Sequence, residues 1–188
     1  MHSIDIYVQN YFSLISTSHL TEFMYLLTTL FDFKMPFILV VLAIATLIYL
    51  VRNIGYSILF LFTVFSGAVS VYILKQIFNI ARPLDGVVAT FSSSFPSGHA
   101  TMVTVFFIML MYIFDPVVES THYRAGHYLK SFWRVVFNTF SIAIVILVSL
   151  SRLYLGVHWV SDIVFGVVLG AVISYLSIII FKKLKAIK

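Results

Sequence analysis

Five long apolar segments divide this sequence and constrain its fold more than any other feature. They cover residues 35–51, 56–80, 100–114, 132–150 and 158–181, and more polar stretches separate them. Crossing the hydrocarbon core of a bilayer takes about 20 helical residues. Backbone exposed to lipid must also form its hydrogen bonds internally, as a helix does. We therefore predict an all-α, polytopic bundle with five membrane-spanning helices.

Composition supports the membrane prediction and excludes a soluble domain. Of the 188 residues, 61% are hydrophobic and 10% are charged, and the mean hydropathy is +1.06. A soluble domain of this length needs more polar surface. The sequence contains no cysteine, which excludes disulfides and thiolate metal sites.

The two ends of the chain differ in character from the apolar middle. Residues 1–34 mix apolar and polar side chains, which predicts an interfacial helix or a first transmembrane helix. Residues 4–15 suit a helix that lies in the membrane interface or packs against the bundle, and residues 21–30 suit a short helix or half of a sixth span. Residues 182–188 form a short basic tail. Nothing marks a second boundary, so we predict one domain over residues 1–188 with its helix bundle at 35–181.

The basic residues predict the orientation of the bundle. If the helices alternate in direction, Arg52, Arg134 and the C-terminal lysines share one side, which the positive-inside rule makes cytoplasmic. These lysines suit contact with anionic membrane lipids. Binding to a nucleic acid has no support beyond their charge. Lys75, Arg82 and Arg152 fall on the extracytoplasmic side and depart from the rule. We predict a protein of the cell membrane with its functional site on that face and a cytoplasmic C-terminus.

Small and aromatic residues give two further predictions about packing. Gly166 and Gly170 form a Gly-x3-Gly pattern on the last span, which predicts close packing of two helices inside the bundle. Trp133 and Trp159 lie near segment ends, a position typical of aromatic residues at the membrane surface.

Polar residues from two loops gather beside the unexpected cations. Ser97 and Gly98 indicate a helix start, where free backbone amides attract anions, and His99 follows them. His158 and Asp162 are one helical turn apart, so the carboxylate can hold one ring nitrogen of the histidine. The candidate site therefore comprises Lys75, Arg82, Ser97, Gly98, His99, Arg152, His158 and Asp162.

These residue types match what phosphoryl transfer requires. Cations and amides can stabilise negative charge on the equatorial phosphate oxygens. Neutral His158 oriented by Asp162 can attack phosphorus, and His99 can protonate the departing oxygen. Each residue also has a structural interpretation, because isolated basic residues near span ends often extend to lipid headgroups and a histidine can simply lie in the interface.

The order of the motifs resembles a known family. The chain carries Lys75-x6-Arg82-Pro83, then Pro96-Ser97-Gly98-His99, then Ser151-Arg152-x5-His158-x3-Asp162. This arrangement is similar to the three-part signature of the type 2 phosphatidic acid phosphatase (PAP2) superfamily, which includes membrane lipid phosphatases. The resemblance implies six spans, with the motifs after the third and the fifth, and residues 4–30 as the first span.

The same resemblance implies a role for each site residue. His158 would become a phosphohistidine, Asp162 would orient it, and His99 would protonate the leaving group. Phosphate would be bound by Lys75, Arg82, Ser97, Gly98 and Arg152, with no metal or other cofactor.

Three classes of function follow from these residues. The first is hydrolysis of a lipid phosphate or diphosphate, such as undecaprenyl diphosphate, phosphatidylglycerol phosphate, a lipid A phosphate or phosphatidic acid. The second is binding or transport of an anion in the same cationic pocket. The third is a metal site formed by His99, His158 and Asp162, which three neighbouring cations disfavour. The motifs recognise phosphate rather than one lipid, and the sequence indicates no oligomeric state.

Overall fold

A computed structural model of the chain describes residues 3–29, 31–32, 35–83, 93–119 and 124–187. These residues form seven helices and no strand, which confirms the all-α class. In chain order the helices are α1 (Ser3–Leu14), α2 (Ser18–Thr29), α3 (Met35–Val51), α4 (Ile54–Phe78), α5 (Gly98–Glu119), α6 (Arg124–Tyr154) and α7 (Val160–Lys183).

Each of the five predicted spans corresponds to one helix, from α3 to α7. The bounds of α3 agree with the prediction, whereas α6 begins eight residues before the predicted residue 132 and ends four residues after residue 150. Among the described residues, three stretches are long and apolar enough to cross a membrane: Ile54–Phe78, Ser131–Tyr154 and Val160–Lys183. Phe37–Val51 and Gly98–Phe114 are shorter apolar helices.

The N-terminal region, for which the sequence left several arrangements open, is divided in two. It forms two helices, α1 and α2, of 12 residues each. Twelve helical residues reach about 18 Å, well short of the hydrocarbon core. The chain breaks because Thr17 caps the second helix, accepting a hydrogen bond from the amide of Leu20 at 3.3 Å. The described residues 3–29 therefore form two helices rather than one continuous helix, and the number of spans stays a prediction.

Helix α5 lies at the centre of the bundle and contacts α4, α6 and α7. Its side chains Met102, Val105, Met109 and Ile113 are fully buried. They belong to one apolar cluster that also includes Phe60 of α4. A central helix packed on several sides holds its first turn firmly, and that turn carries His99.

The Gly-x3-Gly pattern of α7 lies against α5, as the sequence predicted. A Cβ atom added at Gly166 would lie 2.9 Å from the carbonyl oxygen of Ser97. One added at Gly170 would lie 2.7 Å from the carbonyl oxygen of Thr101. The absence of side chains therefore allows the two backbones to approach closely, and this approach brings the start of α7 next to the start of α5.

Helices α1 and α2 pack on α6, and α1 also contacts α7. Asp5 of α1 is buried and accepts a hydrogen bond from the amide of Val160, the first residue of α7, at 3.0 Å. The hydroxyl of Tyr154, at the end of α6, lies 3.0 Å from that of Thr21 and accepts from the amide of Thr17 at 3.2 Å. The N-terminal helices thus hold the ends of the loop that joins α6 to α7.

We expect Gly170→Ala to destabilise the protein, because the new methyl group must push α7 away from α5. The expected loss is about 1–3 kcal/mol, typical of overpacking at a tight contact. Thermal unfolding of the detergent-solubilised protein measures it. Val172→Leu also adds carbon to α7, but at a side chain that is 46% exposed, and it serves as the control. Equal melting temperatures for the two variants would contradict the close approach.

Candidate active site

The candidate site lies at one end of the bundle, where α4 and α6 end and α5 and α7 begin. Two connections meet there, one between α4 and α5 and the other between α6 and α7. The two connections are joined by a hydrogen bond from the amide of Ser97 to the carbonyl oxygen of Asp162, at 3.2 Å. All eight residues predicted from the sequence lie on these connections or on the adjoining helix turns.

A tight loop over residues 155–159 turns His158 into the protein, where it is 1% exposed. The amide of Val157 donates to the carbonyl oxygen of Arg152 at 3.2 Å, and that of Leu155 donates to Ser151 at 2.9 Å. Gly156 has a φ of 65°, a conformation that glycine adopts without strain. The local sequence therefore closes the loop and directs the imidazole inward.

The carboxylate of Asp162 is the centre of a buried hydrogen-bond network. Its Oδ2 lies 3.3 Å from Nδ1 of His158, and the hydroxyl of Ser94 donates to the same oxygen. The amide of Trp159 also donates to Oδ2, at 2.9 Å. Since Asp162 is the third residue of α7, this last contact is a helix cap as well. One side chain therefore both starts α7 and holds His158.

The contacts of His158 define which nitrogen carries the lone pair. With Nδ1 on Asp162, the proton of a neutral ring belongs on Nδ1, and Nε2 carries the lone pair. Nε2 lies 3.4 Å from NH1 of Arg82, on the side where the basic residues gather. Burial lowers the pKa of His158 below its ordinary value of 6.5, the cations Arg82 and Arg152 act in the same direction, and Asp162 opposes them. The ring is therefore neutral, as a nucleophile must be.

Lys75 and Arg82 hold the segment that precedes α5. The ammonium group of Lys75 donates to the carbonyl oxygens of Ser93 and Ser94. Arg82 donates through NH1 to the carbonyl oxygen of Val157 at 2.7 Å, and through NH2 to that of Ser93 at 3.4 Å. Burial lowers the pKa of Arg82, and Asp162 opposes the shift; a guanidinium stays charged at neutral pH. Arg82 therefore lies beside Nε2 of His158, and Lys75 holds the neighbouring segment.

Trp159 is buried in the protein rather than exposed at the membrane surface, where the sequence predicted it. Its side chain is 8% exposed, and its Nε1 donates to the carbonyl oxygen of Ala81 at 2.9 Å. This contact ties the start of α7 to the residue preceding Arg82. Trp133, by contrast, is 59% exposed, as an aromatic residue facing the membrane would be.

The start of α5 agrees with its predicted helix cap. Ser97 is buried, and its hydroxyl accepts from the amide of Ala100 at 3.4 Å. Within the described parts of the chain, the amides of Gly98 and His99 make no hydrogen bond. Two free amides at a helix N-terminus can bind an anion, and here they adjoin His158 and its cations.

Arg152 is buried at the end of α6, with an exposure of 6%. Its NH1 donates to the hydroxyl of Thr28 on α2 at 2.7 Å. Its buried Nε has no acceptor among the described residues. Arg152 also lies within electrostatic range of Arg82 and His158. A buried donor without an acceptor is costly, and a phosphate oxygen would supply one.

His99 lies close to a carboxylate that the sequence analysis did not identify. Its Nε2 is 2.8 Å from Oδ1 of Asp32, which follows α2. Ser94 and Thr28 were also missed, although they contact Asp162 and Arg152 respectively. Only Ser94 carried a sequence signal, since it lies three residues before Ser97 on the same loop. Asp32 and Thr28 lie in the N-terminal region, more than 60 residues from the residues they contact.

The described residues contain no group of three or more His, Cys, Asp or Glu side chains arranged to hold a metal ion. The charges next to His158 are instead cationic or belong to Asp162, whose Oδ2 already contacts Ser94, Trp159 and His158. The arrangement therefore suits an anionic ligand.

Comparison with known proteins agrees with this geometry. The model of the PAP2 superfamily matches residues 55–186. An undecaprenyl-diphosphatase of Sulfolobus acidocaldarius is 32% identical over 136 residues, which are 68% of this chain and 55% of that protein. A lipid A 1-phosphatase of Rhizobium johnstonii is 31% identical over 136 residues, covering 66% of this chain and 47% of that protein. The chain thus spans about half the length of these curated relatives.

Two crystal structures share the fold over nearly the whole chain. A PAP2-type phosphatidylglycerolphosphate phosphatase from Bacillus subtilis superposes with a TM-score of 0.80 at 25% identity, covering 96% of this chain and 86% of that one. LpxE of Aquifex aeolicus gives a TM-score of 0.71 at 17% identity, covering 94% and 96%. With apolar helices long enough to span a bilayer and a family match over most of its length, this chain is a membrane protein of the PAP2 superfamily.

Proposed function

We propose that this protein is a membrane phosphatase that hydrolyses a lipid phosphate or diphosphate through a phosphohistidine at His158. The observation that carries the proposal is the pair His158 and Asp162: Asp162 holds Nδ1, and Nε2 faces Arg82. A neutral, oriented imidazole beside fixed cations is what nucleophilic attack on a phosphate group requires.

In the first step, the lone pair on Nε2 of His158 attacks phosphorus and forms a P–N bond. The P–O bond to the lipid breaks, and its electron pair leaves with the lipid oxygen. His99 gives that oxygen a proton, which an alkoxide needs because it is a poor leaving group. Asp162 stabilises the positive charge that develops on the ring of His158, as the carboxylate of a catalytic triad does.

In the second step, His99 takes a proton from water, and the resulting hydroxide attacks phosphorus. The P–N bond breaks and returns its electron pair to Nε2 of His158. Inorganic phosphate leaves, and both histidines recover their starting protonation states. The same residue thus acts as the acid in one step and as the base in the next.

Phosphate binding uses the cations and amides around His158. Negative charge develops on the phosphate oxygens in the transition state and needs fixed hydrogen-bond donors. These donors are supplied by Lys75, Arg82 and the buried Nε of Arg152. The free amides of Gly98 and His99 add donors at the start of α5. Because these groups supply the positive charge that a metal ion would supply elsewhere, the proposed reaction needs no metal.

The proposed substrate class is a phosphorylated lipid. The relatives and the structural neighbour at 25% identity are named for undecaprenyl diphosphate, lipid A 1-phosphate and phosphatidylglycerolphosphate. These lipids differ in their headgroups and share a terminal phosphate at the membrane surface. A site at the end of the bundle suits such a group, since the lipid tails can stay in the bilayer.

We further propose that the site faces the extracytoplasmic side. Arg52 precedes α4 and Lys182 lies in the last turn of α7, so both lie at the end of the bundle opposite His158. Lys182 packs there over the ring of Tyr112, 5.4 Å from its centroid. The positive-inside rule makes this opposite end cytoplasmic, and the C-terminus with it.

The first test measures phosphate release from a panel of lipid phosphates and diphosphates by the purified protein in detergent with EDTA. We expect metal-independent release by the wild type and loss of at least about 10³-fold with His158→Ala, because the nucleophile is removed. His19→Ala, an exposed histidine of α2, is the matched control. Release from no lipid, or release that His158→Ala leaves intact, would refute the proposal.

The covalent intermediate can be trapped directly. Mixing the wild type with ³²P-labelled substrate and quenching within milliseconds in alkali should leave label on the protein, because phosphohistidine survives base and is lost in acid. Mapping should place the label on His158, and His158→Ala should carry none. Label that persists in this variant would assign the nucleophile to another residue.

The protonation state of His158 gives a pH prediction. Because burial lowers its pKa in the folded protein, the unfolded chain binds the proton first, and this group makes the fold less stable as the pH falls below about 6.5. In ¹⁵N-histidine NMR, we expect the His158 signal, assigned by its loss in His158→Ala, to stay neutral down to a pH well below 6.5. Titration at or above pH 6.5 would contradict the lowered pKa.

A further inference from the structure

Asp32 is the one carboxylate in the described part of the chain whose oxygen meets His99. The distance from Oδ1 of Asp32 to Nε2 of His99 is 2.8 Å, and the two side chains are 24% and 13% exposed. The turn after α2 fixes the backbone of Asp32, since its amide donates to the carbonyl oxygen of Thr29 at 3.3 Å and that of Phe31 donates to Thr28 at 3.0 Å. Hydrogen bonds to the end of α2 therefore hold the backbone that carries the carboxylate.

We infer that Asp32 is a positioning residue that holds His99, through Nε2, as the proton donor to the leaving group. The inference rests on the proposed function, in which His99 is the general acid. It assigns a role in that reaction to the N-terminal helices, which lie outside the three sequence motifs and outside the matched family region of residues 55–186.

The contact decides which nitrogen of His99 reacts. If the N–H group at Nε2 donates its hydrogen bond to Asp32, the proton for the lipid oxygen must come from Nδ1. Within the described residues, Nδ1 of His99 makes no hydrogen bond. His99 is the second residue of α5, next to the free amides proposed to bind phosphate. Nδ1, the nitrogen without a hydrogen bond, therefore belongs to a ring that lies next to the proposed phosphate-binding position.

Asp32 also balances the charge around the acid. A protonated His99 is repelled by Arg152 and Arg82, both of which lie within electrostatic range of its ring. Asp32 attracts His99 and Arg152 alike. Without this carboxylate, a cationic His99 would face only like charges from the phosphate-binding residues. The same group thus orients the ring and stabilises the charged form that can donate a proton.

His158 and His99 are therefore treated differently by their carboxylates. Asp162 is buried and accepts three hydrogen bonds through one oxygen, and His158 stays neutral among cations. Asp32 is partly exposed and contacts Nε2 of His99. In the proposed reaction, the ring of His99 must alternate between charged and neutral forms. Two carboxylate–histidine pairs with different surroundings divide the work of nucleophile and acid–base group.

Leaving-group chemistry tests the inference, because only a poor leaving group needs the acid. The probes are octyl phosphate, which releases an alkoxide, and 4-nitrophenyl phosphate, which releases a stable phenolate. For Asp32→Asn, we expect the first-turnover release of octanol to slow by about 10- to 100-fold, below the 10²–10⁴-fold range of losing a general acid. First-turnover release of nitrophenolate should stay within about threefold of the wild type.

Three further proteins complete the test. Glu22→Gln removes an exposed carboxylate from the same helix, α2, and should leave both rates unchanged. Asp32→Glu should recover part of the octyl phosphate rate. In a His99→Ala background, Asp32→Asn should add little further loss, because both substitutions remove the same function.

The outcomes separate the inference from the proposed function. Equal slowing with both probes would make Asp32 a structural residue, and unchanged rates with both would remove it from the reaction; either result overturns the inference while the phosphatase stands. If His99→Ala shows no leaving-group dependence, His99 is not the acid and the inference also fails. A wild type that turns over neither these probes nor any lipid would overturn the proposed function and the inference together.

Discussion

The buried carboxylate of Asp162 is the interaction on which the rest of the site depends. One of its oxygens accepts hydrogen bonds from the amide of Trp159 and the hydroxyl of Ser94 and lies against Nδ1 of His158. A buried charge is costly unless donors surround it. Meeting that requirement joins the start of α7, the segment before α5 and the candidate nucleophile in one network. The same carboxylate oxygen thus caps α7 and orients the ring of His158.

Close packing of α5 and α7 makes that network possible. Gly166 and Gly170 let the backbones approach, and the amide of Ser97 can then reach the carbonyl oxygen of Asp162. The N-terminal helices act from the outside of the bundle. Through Asp5, α1 caps α7, and through Thr28, α2 holds Arg152. The short polar helices are therefore part of the support of the site, although neither is long enough to cross a membrane.

Much of the bundle was predictable because its information is local. Helices α3 to α7 follow from apolar runs that need no knowledge of their neighbours. The sequence left several arrangements open for the N-terminal region, because its balance of polar and apolar residues fits each of them and the break at Thr17 depends on a cap. Trp159 was placed at the membrane surface by its position near a segment end, whereas its burial follows from the hydrogen bond to Ala81.

By itself, the sequence determined the helical class, the membrane as solvent and the eight candidate residues, since composition, apolar runs and motif spacing are read along the chain. Only the tertiary structure decided that Nε2 of His158 faces Arg82, that Ser94 joins Asp162, and that Asp32 meets His99. These contacts join residues 67 or more positions apart. Packing of helices brings them together, and no local pattern encodes which distant side chain fills the space beside a given nitrogen.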